Sequence, residues 1–140
     1  MFSYPVTAAD FLRAGRVSSE IKKCLSLLKL DSKLIRLIAI CAYEAEMNLV
    51  IHSNGGKIEL EITKDKIYLI LQDVGPSIKD VSLAMKEGYS TASDKAREMG
   101  FGAGMGLPNM KRNSETFFID SSDEGTMIKM SYSTSKVGGQ

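Results

Sequence analysis

Two hydrophobic periods divide the chain. In residues 57–62, KIELEI, apolar Ile58, Leu60 and Ile62 alternate with Lys57, Glu59 and Glu61. A period of two predicts a strand with one face buried and one wet. Residues 67–72, IYLILQ, are richer in apolar side chains and predict a more central strand, with Lys64-Asp65-Lys66 turning the two into a hairpin. Two further strands are predicted over 116–120 and 126–132, joined by SSDEG. Elsewhere the period is helical. Ile21, Cys24, Leu25 and Leu28 follow an N-cap at Ser18-Ser19. Leu34, Leu37, Ile38, Cys41, Ala45 and Leu49 form the stripe of a longer helix capped by Asp31-Ser32 and ended by Ser53-Asn54-Gly55-Gly56. A short helix over 77–87 carries Ile78, Val81 and Met85, and Pro108 opens another that runs to about 114. The first 16 residues mix turn and helix signals, and 134–140 read as a frayed tail. Strand pairs separated by helices favour an α+β architecture over a doubly wound parallel sheet: a two-layer sandwich, its sheet mixed but mostly antiparallel, with helices on one face.

At 140 residues the chain reads as one domain, spanning 1–140, able to bury a core of its own. A net charge of +1 gives no basic stripe for nucleic acid, and Lys22-Lys23 and Lys111-Arg112 read as solvated helix faces. The most apolar stretch, 34–51, is interrupted by Arg36, Glu44, Glu46 and Asn48, which excludes an ordinary membrane span. No secretory leader is visible; together with Cys24 and Cys41 on apolar helix faces, this points to a reduced, cytoplasmic protein. With one histidine and two scattered cysteines, the usual zinc spacings cannot be assembled. His52, at the end of the long helix, reads as a capping or packing residue.

GFGAGMGLPNMKR, residues 100–112, places glycine at 100, 102, 104 and 106. A glycine-rich loop running into a helix exposes backbone N–H groups suited to phosphate, although glycines alone also suit a ligand-free hinge. The dinucleotide fingerprint fails in every register, because the sixth residue is Met105, Leu107 or Asn109. The P-loop pattern fails because Lys111-Arg112 lies too far on and lacks the hydroxyl. The glycines close a long aperiodic loop, 89–105, of a length that is usually functional or mobile.

Two upstream segments add chemistry. Glu44 and Asn48 are four residues apart and share a helix face; they form either a solvated edge or an oxygen-donor notch able to orient a water and ligate Mg²⁺. Asp73, in DVGPSI at the end of the central strand, either makes Asp-x-Gly turn chemistry or accepts a hydrogen bond from a nucleobase amino group.

In this order and with these separations, EAEMN, DVGPSI and GFGAGMGLPNMKR resemble the nucleotide-binding boxes of the GHKL ATPase superfamily, which includes histidine kinases, gyrase-type topoisomerases, Hsp90-type chaperones and anti-sigma factor serine kinases. The resemblance runs from about residue 17 to residue 132. A chain this short looks most like the last group, and AMKEGYSTASDKAREMGFGAGMGLPNMKRNSETF is similar to the switch serine/threonine kinases of bacterial partner-switching modules. The resemblance implies the Bergerat-type ATP-binding fold and a function as a serine/threonine protein kinase using ATP and Mg²⁺. Its substrate would be a small antagonist-type protein, with a sigma factor or other regulatory protein as a further partner; a homodimer is compatible with it. The competing implication is a nucleotide-gated anti-sigma or switch protein with little or no kinase activity.

Carried onto this sequence, the resemblance gives Asn48 to Mg²⁺ and Glu44 to the polarisation of the attacking hydroxyl. Asp73 would hold the adenine amino group and Gly75 would let the backbone approach the base. Gly102, Gly104 and Gly106, led by Gly100, would form the phosphate-facing lid, closing with the long loop before it when nucleotide is present, and Leu107 would begin the helix behind it. Thr126 matches a residue that helps to seat the adenine. Arg16, with Arg13 nearby, falls near a position where relatives carry a basic residue close to the γ-phosphate or the partner. One departure stands out: the second box usually reads Asp-x-Gly-x-Gly, and Ser77 replaces its second glycine. Nucleotide binding is expected to survive, because Asp73 and Gly75 remain.

Overall fold

The computed structural model describes residues 2–52, 55–73, 106–122 and 125–134, with the side chains of His52 and Ser122 outside that description. The expected helix over 77–87, the loop 89–105 and the tail beyond Thr134 lie outside the described residues, as do Gly75, Ser77, Gly100, Gly102 and Gly104. Among the described residues, five strands, β1 (Phe2–Val6), β2 (Gly56–Ile62), β3 (Lys66–Asp73), β4 (Thr116–Ser122) and β5 (Gly125–Ser133), form one sheet with three helices: α1 (Arg16–Ser26), α2 (Ser32–His52) and α3 (Gly106–Arg112).

The sheet order is β1-β2-β3-β5-β4, and all four ladders are antiparallel. The mostly antiparallel α+β sheet expected from the sequence is thus present, with every ladder among the described residues antiparallel. The β2–β3 hairpin forms as anticipated. Its turn is tied by Thr63, whose N–H donates to the Lys66 carbonyl (2.8 Å) and whose Oγ1 accepts the Lys66 N–H (3.0 Å). β5 lies between β3 and β4, which places β4 at the edge of the sheet opposite β1.

The period-two pattern decides which side chains enter the core. Ile58 and Leu60 of β2, Ile67, Leu69 and Leu71 of β3, and Ile128, Met130 and Tyr132 of β5 are buried. Cross-strand partners such as Leu60–Leu69 and Leu69–Met130 lie opposite one another, on one face. Against that face α2 lays Leu34, Ile38, Cys41, Ala45 and Leu49, and α1 adds Val17, Ile21 and Leu25. Leu28 falls outside the stripe expected of it: α1 ends at Ser26, and Leu28 is 39% exposed. The other sheet face is amphipathic, with Lys129 4.9 Å above the Tyr68 ring and Phe118 exposed.

α1 begins two residues before Ser18, and neither Ser18 nor Ser19 caps it. Its N-cap is Gly15, at φ 98°, which offers no side-chain acceptor. Glu46 of α2 does that work instead. Its Oε2 accepts the Val17 N–H at 3.1 Å and its Oε1 the Ser18 N–H at 3.0 Å. Glu46 is only 2% exposed, and the first turn of a helix carries unpaired N–H groups and a partial positive charge. The buried carboxylate and the buried amides therefore satisfy each other.

Candidate nucleotide site

α2 positions the first cluster. Residues 44 and 46 are two apart and so point to nearly opposite sides of the helix. Glu46 faces α1, and Glu44 faces α3. There the Asn109 side-chain amide donates to Glu44 Oε2 at 2.8 Å, and Arg112 Nη1 donates to Asn109 Oδ1 at 3.2 Å. Asn48, one turn after Glu44, lies on the same side. A Cβ built on Gly106 would stand 3.3 Å from Asn48 Oδ1 and 3.7 Å from Glu44 Oε1. The first residue of α3 thus sits against oxygens from both. Leu107 is buried behind it in the core, so the polar notch expected on α2 is closed on one side by α3.

α3 is seated by a second contact below these residues. The Cys41 thiol lies 3.7 Å from the Met110 carbonyl, which also accepts the Ser114 hydroxyl at 2.8 Å. Burial pushes the Cys41 thiol up to about 11; a hydrogen bond with Tyr132 works the other way, and the nearby Glu44 charge adds to the rise. Burial likewise holds the Tyr132 phenol well above its ordinary range. Both remain protonated at neutral pH, and neither cysteine forms a disulfide.

The second cluster closes the end of β3. Asp73 Oδ1 accepts the backbone N–H of Thr126 at 2.7 Å. The Thr126 side chain is 4% exposed and shares a 3.0 Å hydrogen bond with Ser121 Oγ. Glycine is required on both strands beside Asp73. Opposite it on β2, a Cβ on Gly56 would fall 2.8 Å from Asp73 Cα and 2.1 Å from the Gln72 carbonyl oxygen. On β5, a Cβ on Gly125 would fall 2.3 Å from the Asp73 carbonyl and 2.8 Å from its Oδ1, at φ 131°. A side chain at either position would push the aspartate out of place.

Of the residues singled out in the sequence, Glu44, Asn48, Gly106 and Leu107 meet at α3, and Asp73 meets Thr126. Arg16 joins neither group. It pairs with Glu20 at 3.5 Å and lines a shallow pocket with Arg13, Asp10 and Glu46, across α2 from Glu44. The sequence reading missed Glu46, Asn109 and the two glycines flanking Asp73.

The oxygens at Glu44 and Asn48 are the donor type a hard cation takes, and Asp73 is an acceptor fixed at a strand end. Comparison with known families places the chain as a whole. Residues 7–132 match the model of the histidine kinase-like ATPase domain. The chain belongs to that family. The serine/threonine-protein kinase RsbT of Bacillus subtilis is 28% identical to it over 129 residues, covering 89% of each chain. The nucleotide-free catalytic domain of histidine kinase ThkA superposes with a TM-score of 0.54 over 96% of this chain and 97% of that one, at 14% identity, a likeness of fold. No helix among the described residues is long and apolar enough to cross a membrane.

Proposed function

We propose that the chain is a cytoplasmic serine/threonine protein kinase that uses ATP and Mg²⁺ to phosphorylate a small antagonist-type regulatory protein. The observation that carries this reading is the convergence of Glu44 and Asn48 on Gly106, beside a separate carboxylate, Asp73, fixed at the end of β3. The likeness to a serine/threonine kinase over 89% of both chains supports protein hydroxyls as the acceptor.

The chain's own groups divide the work. Asp73, held by the Thr126 N–H, would present a carboxylate to an exocyclic amino group, with Gly75, two residues on in the sequence, the residue that would let the base approach. Asn48 would offer an amide oxygen to the metal ion, and Gly106, against Asn48 and Glu44, would stand on the phosphate side. Bound Mg-ATP supplies the transferable phosphoryl group and the cation that neutralises its charge. Glu44 accepts the proton of the attacking serine or threonine hydroxyl as its oxygen bonds to the γ-phosphorus, and the bond to the β–γ bridging oxygen breaks to release ADP. Most of the acceleration in such a reaction comes from positioning and charge stabilisation.

The test is transfer of the γ-phosphoryl group from labelled ATP to candidate antagonist-type proteins. Wild-type chain should yield phosphoserine or phosphothreonine on the partner. Glu44→Ala should abolish transfer while leaving ATP affinity within a few-fold. Absence of transfer to every such partner, with ATP and partner both bound, would replace this reading with a nucleotide-gated binding protein.

A further inference from the structure

Glu44 has two oxygens in different surroundings. Oε2 is occupied by the Asn109 amide at 2.8 Å, whereas Oε1 faces Gly106 and the Asn48 side. The direction of the Asn109 amide is fixed by chemistry. Arg112 has only donors to offer, and its Nη1 lies 3.2 Å from Asn109 Oδ1; the oxygen must therefore face the guanidinium and the NH₂ must face the carboxylate. We infer that Asn109 is a positioning residue. It holds Glu44 by one oxygen so that the other is presented toward the glycine end of α3, and thereby ties the orientation of the base to the docking of the helix that follows the phosphate loop.

This inference rests on the kinase reading for the role of Glu44, but the contact itself does not. Asn109 lies three residues after Gly106 on a helix seated on α2 through both Glu44 and Cys41, so a displacement of α3 would remove the donor from Glu44. Aspartate at 109 would keep the size and place a second carboxylate against the first, so that the base ionises only at higher pH.

The experiment has two arms on the full chain. In the first, the Asn109 side-chain amide signals are followed by NMR through an acid titration without nucleotide. They should move as carboxylates protonate in the wild-type chain and lose that movement in Glu44→Ala; signals indifferent to Glu44 would overturn the inference whether or not the protein is a kinase. In the second, phosphotransfer is measured for Asn109→Ala and Asn109→Asp, with folding checked by circular dichroism. Asn109→Ala should lower kcat about 10- to 100-fold with the KM for ATP nearly unchanged, and Asn109→Asp should move the acid limb of the pH–rate profile upward. Wild-type kcat and profile in both variants, in a protein that Glu44→Ala silences, would overturn it. A wild-type chain that phosphorylates nothing sinks the kinase reading alone, and the first arm still decides the contact.

Discussion

The carboxylate of Glu46 and the backbone N–H of Val17, 3.1 Å apart across 29 residues of chain, join the two helices at a point shielded from water. Ser18 completes the pair. Glu46→Ala leaves two buried amides without acceptors, and each such group costs about 1–3 kcal/mol. The expected loss of unfolding free energy in urea is on the order of 3 kcal/mol. Glu46→Gln, which retains one acceptor oxygen, should fall between the alanine variant and the wild type.

Gly125→Ala should be among the most damaging small substitutions in the chain. The new methyl would lie 2.3 Å from the Asp73 carbonyl at φ 131°, combining overpacking with a backbone angle that side chains resist. A loss of about 3 kcal/mol or more is expected from denaturant titration.

Asp73→Ala should separate nucleotide binding from folding. The Thr126 N–H loses its acceptor, a cost of about 1–2 kcal/mol, while Mg-ATP should no longer raise the melting temperature. For the wild type, nucleotide at 100 times its Kd should add about 2.7 kcal/mol. Equal thermal shifts in both chains would remove Asp73 from the site.

Alkaline pH should weaken the fold through Cys41. Its thiol is raised in the folded protein to about 11, so the folded state holds that proton more tightly than the unfolded chain does. The resulting stabilisation is complete below the unfolded value, near 9, and is lost as pH climbs through about 11. At 1.36 kcal/mol per pH unit the effect is on the order of 2 kcal/mol. The difference in unfolding free energy between wild type and Cys41→Ala, measured at pH 8 and again at pH 10.5, should shrink accordingly.

Much of this molecule could be read in its sequence because its signals are local. The alternation that buries Ile58, Leu60, Leu69 and Leu71 is written within single strands, and the α2 stripe within one helix. β1 was overlooked although Phe2, Tyr4 and Val6 alternate with Ser3 and Pro5: it is short, and its proline is tolerable because the strand lies at the sheet edge. The cap of α1 could not be found in any local window, since its acceptor is 28 residues away. For the same reason Gly56 and Gly125 read only as turn residues; their necessity comes from the approach of Asp73 on a neighbouring strand. Glu44, Asn48, Asp73 and Gly106 could be singled out because they fall within short motifs of fixed spacing. Asn109 was not, because a motif ending in glycines draws no attention to the amide one turn later.

Because Glu46 and Glu44 leave α2 on nearly opposite sides, the helix is keyed from both flanks, to α1 through buried amides and to α3 through Asn109. The angular setting of α2 therefore fixes two contacts at once, the seat of Glu46 at the start of α1 and the seat of Glu44 against α3.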